Sequence, residues 1–174
     1  MKNKNRILAL CISVCTLVSL LIPLALPMVT FASEEIIYIT NADEFIEFAK
    51  KCSYDAWSVG KTFALSQDIS LEGKDFEPIP SFSGIFDGQG HEISGLNLNQ
   101  AYSPAGLFSS LEKDGVIKNL NVSGVVSPDG DRRTVGGIVG VNSGRIEDCT
   151  FSGTVIGSFD VGGAVVINKA SGSI

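Results

Sequence analysis

The chain is 174 residues long, 44% hydrophobic and 8% aromatic, with 13 Lys and Arg against 19 Asp and Glu for a formal net charge of −6. Lys2, Lys4 and Arg6 are the only charges in the first 32 residues, so the remainder carries 10 basic against 19 acidic side chains, a net charge near −9. With no basic run after residue 6, that balance excludes nucleic acid or an anionic membrane surface as the partner, because phosphate binding needs clustered Lys and Arg.

The first segment reads as an export signal rather than as fold. A basic start precedes an almost wholly apolar run, Ile7 to Leu26, and Thr30-Phe31-Ala32 places small residues at the −3 and −1 positions of a cleavage site. An uncleaved anchor is the competing reading, since the run approaches spanning length. Pro23, Pro27 and the acidic residues after Ser33 favour a signal peptide over residues 1–32 and a secreted product with no membrane segment after cleavage. Cys11 and Cys15 lie in the run without the small preceding residue that lipidation requires. The mature chain, about 142 residues, is one domain in size. Its two cysteines, Cys52 and Cys149, are too few for a disulfide framework and read as buried free thiols.

Next, Ile36 to Ile39 forms a predicted short strand. Thr40 or Asn41 can cap a helix over 41–52, with Asp43 and Glu44 in its first turn and Phe45, Phe48, Ala49 and Cys52 at helical spacing. Lys61 to Leu65 and Ile69 to Leu71 alternate like strands. Phe76-Glu77-Pro78-Ile79-Pro80 then breaks the pattern, because proline cannot donate to a ladder. The expected organisation is an N-terminal cap over 33–80 and repeated coils over 81–174.

In the coils one phrase returns four times: Gly84-Ile85-Phe86, Gly106-Leu107-Phe108, Gly137-Ile138-Val139 and Gly163-Ala164-Val165. Each is followed by a second glycine (Gly90, Gly115, Gly144, Gly172) and then by an isoleucine (Ile93, Ile117, Ile146, Ile174). Ile117 to Val126 matches Ile146 to Val155 without a gap, and Leu120 and Val122, like Cys149 and Phe151, alternate with polar neighbours. A unit of this length cannot bury its apolar stripe alone, so self-similarity at this period predicts a solenoid. Two ladders of like residues are expected: Ile93/Ile117/Ile146/Ile174 and Leu98/Val122/Phe151, with Leu96, Leu120 and Cys149 at a third equivalent position. An antiparallel sandwich also uses many short strands, but it does not explain the return of one residue class at one point of each unit. The expected fold is an all-β solenoid, a right-handed parallel β-helix with an N-terminal capping helix. Its fourth frame stops at Ile174, which reads as the truncated part of a longer repeat region.

The stretch Gly136 to Val155, GGIVGVNSGRIEDCTFSGTV, is similar to the GLUG repeat of bacterial surface and secreted proteins. Asp68 to Leu96 resembles the segment that opens such repeat regions, so the resemblance covers residues 38–174. It implies a right-handed parallel β-helix on, or secreted from, a Gram-positive-like cell surface. Such regions occur in adhesin-like proteins and upstream of the catalytic part of immunoglobulin A metallopeptidases. Those need two zinc-binding histidines, and His91 is the single histidine here.

The remaining chemistry is sparse. Asp87 and His91 could meet across a turn as an acid and base, but Asp87-Gly88 and Gln89-Gly90 read more simply as turn residues. Asp129, Asp131, Arg132 and Arg133 share one insertion without the oxygen-ligand spacing of a calcium loop. Tyr54, Trp57 and Tyr102 could stack sugars, yet a single tryptophan under a cap reads as packing. Asn121-Val122-Ser123 is a sequon inside a predicted strand, and Asn142 and Asn168 recur at matching frame positions as structural asparagines.

These readings point to a secreted or cell-surface β-helix module with a non-catalytic, structural or adhesin-like binding role, without catalytic residues, metal or cofactor. Its expected partners are a host or matrix glycan or protein and further repeats on its C-terminal side. The alternative is the non-catalytic N-terminal region of a larger extracellular enzyme, a metallopeptidase or a polysaccharide lyase or hydrolase.

Overall fold

Apolar and polar residues alternate between glycine corners, which makes short strands with one buried face, and strands of successive windings pair in parallel. The computed structural model describes residues 35–53, 56–130 and 134–174. The export signal expected over 1–32, with Cys11 and Cys15, lies outside the described residues, as do Tyr54, Asp131, Arg132 and Arg133. In chain order the elements are β1 (Ile36–Ile39), α1 (Ala42–Lys51), β2 (Thr62–Leu65), β3 (Ile69–Ser70), β4 (Ile85–Asp87), β5 (Glu92–Leu98), β6 (Phe108–Leu111) and β7 (Val116–Lys118). There follow β8 (Asn121–Val126), β9 (Val135–Gly136), β10 (Val139–Asn142), β11 (Arg145–Glu147), β12 (Thr150–Val155), β13 (Val161–Gly162) and β14 (Val165–Asn168).

The first side of each winding lies in a sheet ordered β1-β2-β4-β7-β11, the second in β3-β5-β8-β12, and the third in β6-β10-β14, with a short pair β9-β13 between the last two. Every pairing is parallel, so the fold is a parallel β-solenoid of about four turns and not a sandwich. Thr62 pairs with Ile85, Ile85 with Val116 and Val116 with Arg145, and Arg145 bridges Ser173, so successive windings take 23, 31, 29 and 28 residues.

The inward column of the first side is Phe63, Phe86, Ile117 and Ile146, and that of the second is Ile69, Ile93, Val122 and Phe151. Ile93 therefore does not stack with Ile117, and Leu98 pairs with Val126 rather than Val122. Leu96 faces Gly124, while His91, Leu120 and Cys149 occupy one corner column: Asn121 N–H donates to the His91 carbonyl and Thr150 N–H to that of Leu120.

The glycines show the same phase error. Gly106, Gly137 and Gly163 follow one another on the third side, but Gly84 belongs with Gly115, Gly144 and Gly172, and Gly90 sits at the corner beside Asn119. The cause is the proline-broken stretch. Pro78 and Pro80 remove two donors, so the third side of that winding is reduced to bridges of Ile79 with Phe108 and Phe82 with Leu111. Ile85-Phe86, the next apolar pair after a glycine, is then already on the first side.

The winding also starts earlier than residue 81. β1 and β2 pair in register, Ile37 with Phe63, inside the five-stranded sheet, and α1 is an insertion between them. Asn41 is the N-cap: its Oδ1 accepts the Glu44 N–H at 3.0 Å, and Glu44 Oε2 accepts the Thr40 N–H at 2.7 Å. Glu44 is held below the usual carboxylate range by the Thr40 backbone and hydroxyl donors. The helix buries Phe45, Phe48 and Ala49 over the open end of the first winding. Phe48 lies 4.7 Å from Phe63 and 5.6 Å from Phe86 between ring centroids, and Phe45 stacks on Phe76 at 5.5 Å. The interior is aromatic near this cap and aliphatic beyond Phe108, where Val135, Ile138, Val139 and Ile117 fill it. The described core lies entirely within Glu34–Ile174, one compact unit.

The last winding differs from those before it. Val126, Val135 and Val139 are buried, whereas their register partners Val155, Val161 and Val165 are half-buried or exposed. Ile174, one residue beyond the Ser173 bridge to Arg145, is 73% exposed.

Candidate functional site

The longest strands, β5, β8 and β12, form the second side, and their outward residues are small and polar. Ser70 pairs with Ser94, Ser123 with Ser152, Glu92 with Asn121, Asn121 with Thr150, and Thr154 with Val125. These side chains bond from winding to winding. Thr150 Oγ1 donates to Asn121 Oδ1 at 2.6 Å, Asn121 Nδ2 donates to the Gly90 carbonyl at 2.9 Å, and Ser123 Oγ donates to Glu92 Oε1. The sequon asparagine is thus tied into this network.

Gly124 and Gly153 pair across two windings of this side. Gly124 and Gly153 sit at φ of +151° and +155°, a backbone region that L side chains rarely adopt. A Cβ on Gly153 would strike the Gly124 carbonyl oxygen, and one on Gly124 would strike that of Leu96. The repeated pair Ser123-Gly124 and Ser152-Gly153 is the sequence signal for this column; in the preceding winding Leu96, not Gly95, faces Gly124.

At one edge of the face Asp68 Oδ1 accepts the Glu92 N–H at 3.0 Å and lies 3.0 Å from His91 Nδ1. The Glu92 amide, and then His91, hold the Asp68 carboxyl below its ordinary value. His91 is therefore paired with Asp68 and not with Asp87. Asp87 is nearly buried on the first side, where Gln89 N–H donates to Oδ1 at 2.9 Å, Asn119 Nδ2 at 3.0 Å, and Lys118 Nζ lies 3.2 Å from Oδ2. Burial pushes its carboxyl upward, but the donors on Asn119, Gln89 and Lys118 outweigh that and hold it below the ordinary value. Asp87 links two windings as a structural acceptor.

Trp57 and Tyr102 occupy separate clefts. The Trp57 ring is covered by Lys61 Nζ at 4.2 Å and packs 5.3 Å from Phe63, while Tyr102 shares a cleft with Pro78, Pro80 and Pro104. Burial, then Glu77 and Asp75, push the Tyr102 phenol up. Asp129 is exposed on its turn.

Asn142 is fully buried and donates to Asn168 Oδ1 at 2.8 Å, closing a corner ladder. Cys52 and Cys149 are free thiols; burial pushes Cys52 up to about 12, and Cys149, only half-buried, is also raised by burial. Among the described residues no group of three or more His, Cys, Asp or Glu could hold a metal, and no helix is long and apolar enough to cross a membrane.

Residues 131–156 match the family model of the GLUG motif. The chain is 38% identical over 100 residues to halomucin of Haloquadratum walsbyi, covering 56% of this chain and 1% of that protein. It is 32% identical over 101 residues to a protein named as a Gly-rich membrane protein of Evansella cellulosilytica, covering 51% of this chain and 12% of that protein. No solved structure matches the chain significantly. The chain thus carries a GLUG repeat on a β-solenoid and spans a small part of the length of these relatives.

Proposed function

We propose that this chain is an extracellular, non-catalytic module of a microbial surface protein, serving as a rigid spacer that presents the outer face of its second side to a matrix glycan or protein. The observation that carries the reading is the outward array of Ser70, Ser94, Asn121, Ser123, Thr150 and Thr154 at the strand spacing of about 4.8 Å, with Asn121 bonded to Thr150, Ser123 to Glu92 and Ser94 to the Ile69 carbonyl between windings. Such an array offers a polymer regularly placed donors and acceptors, and the bonds of Asn121, Ser123 and Thr150 between windings lower the ordering cost. The likeness to halomucin and to a membrane-associated relative supports a place at the cell surface.

Expressed from Met1 in a bacterial host, the chain is expected outside the cytoplasm with Ser33 as its first residue. On immobilised matrix polysaccharides it should bind without turnover, and Thr150→Lys with Thr154→Lys should abolish retention while leaving the circular dichroism unchanged. Retention in the cytoplasm with Met1 intact, or turnover of a uronate polymer, would defeat the proposal.

A further inference from the structure

The run Phe76-Glu77-Pro78-Ile79-Pro80 shapes a cleft on the third side. Its two prolines remove the donors that a strand there would use, so this winding meets the next through two bridges and leaves a recess of about 350 Å3 beside Tyr102. Rings of Pro78, Pro80 and Pro104 wall it, and Glu77 and Tyr102 contribute a carboxylate and a phenol. Backbone donors are scarce there. Proline has no N–H, the Tyr102 N–H is spent on the Gln100 carbonyl at 2.7 Å, and the Ser109 N–H on that of Ile79 at 2.8 Å. The Tyr102 hydroxyl donates to Gln100 Oε1 at 3.3 Å, which leaves its oxygen lone pairs to accept. The Glu77 carboxylate makes no hydrogen bond or ion pair among the described residues, and no basic side chain of those residues lines the cleft. An adjoining recess against α1 holds one charge of each sign, Lys50 and Asp75, so Glu77, which lines both, sets the local charge.

We propose that this cleft is a recognition site for one arginine side chain of a protein partner. A guanidinium presents five donors in a plane and no acceptor, the complement of a recess whose unspent polar groups accept. Glu77 takes the fork of donors, the Tyr102 ring lines the same recess for cation–π contact, and the three proline rings cover the methylene stem. An anionic ligand finds neither a cation nor a row of N–H groups there. The net charge near −9 carried after residue 32 repels such a ligand and draws a basic partner instead. This site goes beyond the spacer reading and does not depend on it, because the cleft lies on the third side and the polar array on the second.

The test is a titration of the isotope-labelled full chain with the peptide acetyl-Gly-Arg-Gly-amide, followed by amide NMR shifts. The same peptide with citrulline in place of arginine is the neutral isostere. Saturable shifts are expected at Tyr102, Ser103, Ser109 and Ser110 with arginine and none with citrulline, and the affinity should fall as salt rises. Glu77→Gln should weaken binding at least about tenfold. Ser103→Lys, which sets a cation of the chain's own at the rim, should abolish it. Glu77 and Ser103 are both exposed, so both variants should melt as the parent does. Thr150→Lys with Thr154→Lys, on the second side, should leave arginine binding unchanged. Equal binding of the citrulline peptide, shifts confined to other residues, no saturation, or indifference to Glu77→Gln would overturn the proposal. So would cellobiose shifting these amides where the arginine peptide does not.

Discussion

Asn142 Nδ2 donates to Asn168 Oδ1 at 2.8 Å, joining two successive windings through paired side chains. The same Asn142 donates to the Ser173 carbonyl at 3.1 Å and accepts the Gly144 N–H at 3.0 Å. Because Asn142 is fully buried, Asn142→Ala leaves the Gly144 amide without its acceptor in the interior. We expect a loss of about 1–3 kcal/mol in urea unfolding. Asn168→Ala, on the exposed winding, should cost less.

Asp87 makes stability depend on acid. Its folded pKa lies below its unfolded value, so its contribution is complete above the unfolded carboxylate value of about 3.9 and is lost as pH falls through the folded value. Thermal melts from neutral pH down to pH 2 should show Asp87→Asn less stable than the parent near neutrality and flatter in the acid limb. Parallel curves would remove Asp87 from the account. Lys118→Ala should cost under about 1 kcal/mol, because the lysine end is partly solvated.

Two glycines separate close approach from mere recurrence. Gly153→Ala places a Cβ on the Gly124 carbonyl at a φ of +155°, and should destabilise by about 1–3 kcal/mol or more. At Gly163, one of the frame-marking glycines, a Cβ meets nothing within 4 Å. Gly163→Ala should be neutral or slightly stabilising, and equal losses at both sites would contradict the register.

The cap is testable at Phe48. Its ring touches Phe63, Phe82, Phe86 and Trp57, so Phe48→Ala removes the plug from the aromatic end of the solenoid. A loss of about 3–5 kcal/mol in denaturant unfolding is expected. Asn41→Ala should cost about 1 kcal/mol through the helix start alone.

The solenoid was legible because Ile117 to Val126 and Ile146 to Val155 align without a gap, and a fixed spacing survives any ignorance of turn geometry. The helix was legible from Asn41, Glu44 and the Phe45/Phe48 spacing, all local signals. The first winding was misphased because Pro78 and Pro80 reduce one of its sides to two bridges, leaving no strand pattern to count. The polar face was missed for a different reason. Ser94, Asn121, Ser123 and Thr150 have the composition of turns, and only the register, which links residues about 30 apart, makes them a surface. Asp87 shows both cases at once: its bond to Gln89 is a local turn bond, while Asn119 and Lys118 reach it from the next winding.

The register itself is best tested by methyl-resolved NMR on isoleucine- and valine-labelled protein. Ile117 and Ile146 are direct partners on adjacent parallel strands, about 4.8 Å apart along the stack. A strong cross-peak between their methyl groups is predicted, with a second between Ile93 and Val122. If Ile117 and Ile146 show no mutual cross-peak while both remain buried, the windings do not stack as described, and the surfaces derived from that stacking do not exist.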